Sequence, residues 1–120
     1  MYKIIIFLLI IVFLVFLRIK FFSTSFSPKK TTVVTLTENG FSPQIITIKQ
    51  GDTVTFKTTR NNLFWPASNL HPTHEIYPQF DPRQPVDPKK TWSFTFTRVG
   101  SWNYHDHLSP YYEGTIKVKP

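Results

Sequence analysis

The stretch Ile45–Lys57, IITIKQGDTVTFK, decides how this chain folds. Ile46 and Ile48, then Val54 and Phe56, fall at every second position, with Thr47, Thr53, Thr55 and Lys57 between and beside them. That is the period of a strand with one buried and one wet face, and Val, Ile, Thr and Phe suit a pleated surface. Gln50-Gly51-Asp52 separates the two runs as a turn. The alternation recurs at Val34 and Leu36, at Trp92, Phe94 and Phe96, and at Ile116 and Val118. Further turns are marked by Glu38-Asn39-Gly40 and Val99-Gly100. No ten-residue stretch after Thr31 carries helical periodicity. About six or seven short strands argue for an all-β sandwich or barrel over residues 32–120, and the antiparallel sandwich is the form adopted.

Between the strand runs, residues 61–89 hold Pro66, Pro72, Pro78, Pro82, Pro85 and Pro88. A proline-rich stretch cannot be a central strand, and loops this long in compact domains are usually functional or disordered. Phe64, Trp65, Tyr77 and Phe80 give it enough aromatic surface to pack over one end of the sandwich.

The amino-terminal end differs from the rest. Ile4 to Leu17 reads IIIFLLIIVFLVFL, without a polar residue, and Arg18, Lys20 and Phe21-Phe22 follow. A helix apolar all round has no place in so small a soluble domain. Residues 1–22 therefore read as a transmembrane or signal-anchor helix, with Arg18 and Lys20 reaching toward headgroups, and 23–31 as a polar tether. Ser23-Thr24-Ser25 are small enough to leave cleavage open. The cationic flank after the helix favours a cytoplasmic domain by the positive-inside rule. The signal-like architecture favours a single-pass protein with its β-domain outside the cytoplasm. The second reading is the one adopted.

Residues 1–30 supply five of the chain's seven net positive charges, an arrangement suited to anionic lipid. Residues 31–120 have no basic run, which argues against nucleic acid as a partner. Cysteine is absent, which excludes disulfides and thiolate ligands.

All four histidines fall in two short motifs, His71 and His74 in "HPTH" and His105 and His107 in "YHDHLSP". On a strand, positions i and i+2 share a face, so His105 and His107 are expected to project together with Asp106 opposite. A turn at Pro72 can bring in His71 and His74. Imidazole-rich sites suit copper, zinc, iron or nickel, and Cu(II) binds tightest among the divalent ions. Glu75, Asp81 and Asp106 are reserve ligands or carboxylates that orient an imidazole. Trp65, Trp92 and Trp102 are expected in the core.

Residues 39–56, NGFSPQIITIKQGDTVTF, and 89–120, KKTWSFTFTRVGSWNYHDHLSPYYEGTIKVKP, resemble the opening and closing strands of cupredoxins, across roughly 32–120. The resemblance implies a Greek-key β-sandwich with a copper site at one end. The blue-copper ligands do not carry over. Counted back from Gly114, the Cys position falls on Asp106, the downstream His on Ser109 and the axial Met on Tyr112. A blue site needs its two His and one Cys. "SWNYHDH" instead looks like the Tyr-His-x-His segment of multicopper oxidase domains, where such pairs bind copper.

The resulting expectation is a membrane-anchored, copper-binding module rather than a catalyst. Its metal, Cu(II) before zinc, is held by His71, His74, His105 and His107, and it serves copper handling or a membrane redox system through a redox or copper-transfer partner. The alternatives are a copper oxidase- or reductase-like enzyme whose site is completed by oligomerisation, and a structural sandwich binding zinc or no metal.

Overall fold

The computed structural model describes residues 1–21 and 28–120, and of residues 15–21 the backbone alone. The uninterrupted apolar run, free of glycine and proline, forms helix α1, Tyr2–Phe21. Its side chains from Ile4 to Leu14 are exposed. Among the described residues no helix is long and apolar enough to cross a membrane, so the span expected over 1–22 is not shown. Residues 22–27, which include most of the expected tether, lie outside the described residues.

Eight strands form, one or two more than expected. These are β1 Thr31–Thr37, β2 Gly40–Ser42, β3 Ile45–Lys49, β4 Thr53–Thr58, β5 Pro66–Ser68, β6 Trp92–Thr95, β7 Gly100–Asp106 and β8 Ser109–Lys119. The five alternating runs lie in β1, β3, β4, β6 and β8, and β2, β5 and β7 arise outside them. They form two four-stranded sheets, β2-β1-β4-β6 and β3-β8-β7-β5. The inward positions are those the alternation marks. Val34, Leu36, Val54 and Phe56 of one sheet face Ile46, Ile48, Tyr104, Ile116 and Val118 of the other, all buried.

The expectation of a purely antiparallel sandwich is corrected. β1 runs parallel to β4, and β3 parallel to β8. The chain leaves the first sheet after β2, lays β3 in the second, and returns, so β4 reaches β1 pointing the same way. Side-chain periodicity is two in either direction and carries no information about strand polarity.

The β3–β4 turn needs Gly51, whose φ of +89° lies in the left-handed region. Asp52 locks it, accepting hydrogen bonds from the Lys30 and Lys49 N–H groups at 3.0 Å each.

Residues 61–89 pack over one end of the sandwich, as their aromatic content predicts. Phe64, Tyr77 and Phe80 are buried. Phe80 stacks on Trp92 with the ring planes 5° apart. Phe64 and Val86 exchange backbone hydrogen bonds of 3.1 and 2.8 Å. β5 is the one strand of this segment, at the sheet edge, where its Pro66 costs no ladder bond.

Candidate metal centre

Two chain segments build the candidate site. One is the end of β7 with the β7–β8 turn, carrying His105 on the strand and His107 in the turn. The other is the loop after β5, carrying His71 and His74. Three contacts fasten them together. The Trp65 N–H donates to the Asp106 carboxylate at 2.7 Å, the His107 N–H to the Trp65 carbonyl at 2.8 Å, and the Asn69 N–H to the Asn103 carbonyl at 3.0 Å. The loop then folds back on itself, the His74 N–H donating to the Leu70 carbonyl at 2.6 Å. His74 has a φ of +55°, which turns its ring inward.

The four rings converge. Centroid distances are 4.8 Å for His71–His107 and His74–His107, 5.2 Å for His71–His105, 5.3 Å for His74–His105 and 6.3 Å for His105–His107. One ring nitrogen from each of His71, His105 and His107 lies within 4.8 Å of the other two. His74 sits beside this triplet, with its Nε2 2.9 Å from His107 Nδ1.

The hydrogen bonds around the rings fix their tautomers. His105 Nδ1–H donates to Asn69 Oδ1 at 2.7 Å, which leaves Nε2 as a lone pair. That Nε2 is buried and has no hydrogen-bond partner among the described residues. A buried acceptor without a donor costs free energy, and a metal ion would satisfy it. Burial first, and then the neighbouring imidazoles His74, His71 and His107, pull the His105 pKa down to about 4, so its ring is neutral at pH 7. The same causes lower His107.

His74 Nδ1–H donates to the Asp81 carboxylate at 2.8 Å, and Asp81 also accepts from Trp65 Nε1–H at 2.8 Å and the Arg83 N–H at 2.7 Å. Burial pushes Asp81 upward, but the bonds from His74, Arg83 and Trp65 together hold its pKa below the ordinary carboxylate range. The carboxylate fixes the orientation of the His74 ring. Exposure is graded across the set: His105 and His74 are buried, His107 is half-buried and His71 is exposed.

Several expectations change in detail. β7 ends at Asp106 and its register shifts at His105/Asp106, so His107 belongs to the turn. The two histidines still converge, but through a bulge and turn rather than by strict alternation. Of the three reserve carboxylates, Asp81 alone touches a histidine ring. Asp106 is buried, held above its ordinary pKa chiefly by desolvation, and fastens the Trp65 backbone. Glu75 is exposed.

Trp65, expected in the core, belongs to the site, its ring 4.5 Å from that of His107. Asn69 is a site residue that sequence reasoning misses. Its one available signal is an amide acceptor two residues before the first histidine.

No protein-family model matches this sequence, and no curated protein matches it. Solved structures do. A purple cupredoxin from Nitrosopumilus maritimus superposes with a TM-score of 0.64 at 18% identity, covering 73% of this chain and 99% of that one. A mutant of amicyanin, in its reduced Cu(I) form, gives 0.64 at 19% identity, covering 82% and 90%. The copper-containing nitrite reductase of Thermus scotoductus SA-01 gives 0.61 at 20% identity, with 76% of this chain matching 23% of that one.

Proposed function

We propose, from a cupredoxin-like fold as premise, that this domain binds copper through a thiolate-free set of imidazoles, His71, His74, His105 and His107. The observation that carries the reading is the buried, partnerless Nε2 of His105 within a group of three converging histidines. The donor chemistry fits Cu(II), which outcompetes zinc and nickel at nitrogen sites. The structural neighbours include copper proteins by description. Bound copper would supply a redox-capable cation. The chain's own residues hold it: Asn69 and Asp81 orient His105 and His74, Trp65 covers His107, and the exposed His71 closes the outer side.

That gradient suits cargo as well as cofactor. His71, the exposed ligand, is the one a competing donor reaches first. We assign it as the ligand through which copper enters and leaves, with His105 and His74 as the fixed pair. The apolar run at 4–17, followed by Arg18, Lys20 and Phe21-Phe22, supports a membrane anchor for this copper-handling domain, and its signal-like architecture supports a domain outside the cytoplasm.

Copper loading of the full chain tests the site. The expected product lacks the intense blue band and gives a type 2 electron paramagnetic resonance signal with nitrogen hyperfine structure. His105→Ala/His107→Ala should lose copper affinity by more than about 10-fold, since even outer-shell changes cost about 10–100-fold. His71→Ala should speed copper loss to a chelator more than it lowers affinity. Unchanged affinity and spectrum in the double variant would end the metal-site reading. Fractionation of cells after carbonate extraction, with protease added outside, tests the anchor and its side.

A further inference from the structure

The opposite end of the sandwich carries a second feature that the copper site does not use. A cleft of ≈ 490 Å³ opens there, lined among others by Pro28, Lys30, Lys49, Asp52, Lys119 and Pro120. Three lysines meet at it. Lys49 of β3 and Lys119 of β8 are register partners on adjacent parallel strands, both exposed, with the buried Ile48 and Val118 beside them in sequence. Like charges placed side by side on a sheet are destabilising.

One acid, Asp52, stands against Lys30, Lys49 and Lys119 in the lining and offsets only part of their charge. The Asp52 carboxylate accepts the backbone N–H groups of Lys30 and Lys49, is buried, and is held below its ordinary pKa first by those two hydrogen bonds. Among the described residues no lysine takes part in an ion pair. Lys29 lies at the same place, its Cε 3.5 Å from where a Cβ on Gly51 would stand. Lys117 adds a further exposed cation on β8. The end is therefore a concave surface on which lysines outnumber the one acid, and that excess of positive charge suits an anion supplied from outside.

We infer that this cleft seats the phosphate of an anionic lipid headgroup, so that the base of the sandwich docks on the membrane. The occupant follows from charge complementarity and chain connectivity. Lys29 and Lys30 follow the end of α1 at Phe21 by eight and nine residues, and an extended chain of that length spans at most about 30 Å. If α1 is in lipid, the cleft is within reach of the headgroups. The inference thus rests on the proposed anchor. β8 leads from the copper site to the cleft over eleven residues, roughly 33 Å of strand. Docking at the cleft would hold the histidines on the face turned away from the bilayer.

The test uses the full chain reconstituted into vesicles of phosphatidylcholine alone, or with about one third phosphatidylglycerol, followed by hydrogen exchange of segments 28–30, 47–52 and 117–120. Slower exchange of these segments in the anionic vesicles alone, abolished in Lys30→Gln/Lys49→Gln/Lys119→Gln, is the expected result. Equal exchange in both vesicles while the chain floats with them overturns it. Equal protection by inorganic phosphate in neutral vesicles would make the ligand a free anion and also overturn the lipid assignment. If the chain floats with neither vesicle, the anchor reading fails. Short-chain phosphatidylglycerol below its micelle concentration then decides the cleft alone. Binding that the triple variant weakens on the order of 100-fold keeps it, and no binding ends it.

Discussion

At the scale of single residues, the site depends on which ring nitrogen is free. Asp81 and Asn69 each take one N–H and leave Nε2 of His74 and His105 facing the cluster. Asp81→Asn keeps the shape but removes the charge behind His74. It is expected to lower copper affinity by about 10–100-fold and to alter the nitrogen hyperfine pattern, measured by competitive chelation and electron paramagnetic resonance. Without metal, His105 also makes stability depend on pH. Its folded pKa, about 4, lies below the ordinary 6.5, so between those values the unfolded chain binds a proton that the folded chain does not. Stability therefore rises with pH across that window, by on the order of 3 kcal/mol, and is flat above it. Asp106, raised by burial, works in the opposite sense near the acid end. The contribution of His105 is then the difference between the wild type and His105→Asn in denaturant titrations at pH 4.5 and 7, and equal pH slopes would refute it. The histidines are legible in the sequence because all four fall in two short motifs. Asn69 and Trp65 are not, because their roles come from a loop folding back on a strand end, a contact that no local spacing encodes.

At the scale of elements, β1, β3, β4, β6 and β8 read directly from alternation, while β2, β5 and β7, the strand directions and the β7 ending do not. Period two places side chains on faces but says nothing about parallel or antiparallel neighbours. The bulge at His105/Asp106 arises where β7 turns into β8, and it leaves Tyr104, His105 and Asp106 all buried. Tyr104 is packed between the sheets with its hydroxyl unpartnered, and burial raises its pKa above the ordinary phenol range. Gly114, its register partner on β8, makes room for it: a Cβ there would collide with the Tyr104 hydroxyl and ring edge. Gly114→Ala is expected to destabilise the domain by about 1–3 kcal/mol through overpacking. Tyr104→Phe removes an unsatisfied polar atom and is expected to be neutral or stabilising. Chemical denaturation of the two variants checks both signs. A strong loss in Tyr104→Phe would mean that the hydroxyl has a partner after all.

At the scale of the whole molecule, β8 runs between the two features: the β7–β8 turn at its start meets the histidine cluster, and its end at Lys119 lines the lysine cleft. The turn end is covered by the segment 61–89. The segment 61–89 has one short strand and otherwise depends on Phe64, Tyr77 and Phe80 and on contacts such as Trp65 to Asp106. A metal ion shared by His71, His74, His105 and His107 would tie that segment to the β7–β8 turn and so would bind the folded state alone. Linkage then sets the effect: free copper at 100 times its dissociation constant adds about 2.7 kcal/mol. For a domain of this size each kcal/mol moves the melting temperature by about 4–8 °C. Copper should therefore raise it by roughly 10–20 °C in the wild type and leave His105→Ala/His107→Ala unchanged, with circular dichroism showing that the variant still folds. Hydrogen exchange on the same samples locates the gain. Slowing confined to 64–81 and 104–109 is the outcome required if copper joins the two segments. Uniform slowing, or an equal shift in the variant, would mean that copper acts somewhere other than the four histidines.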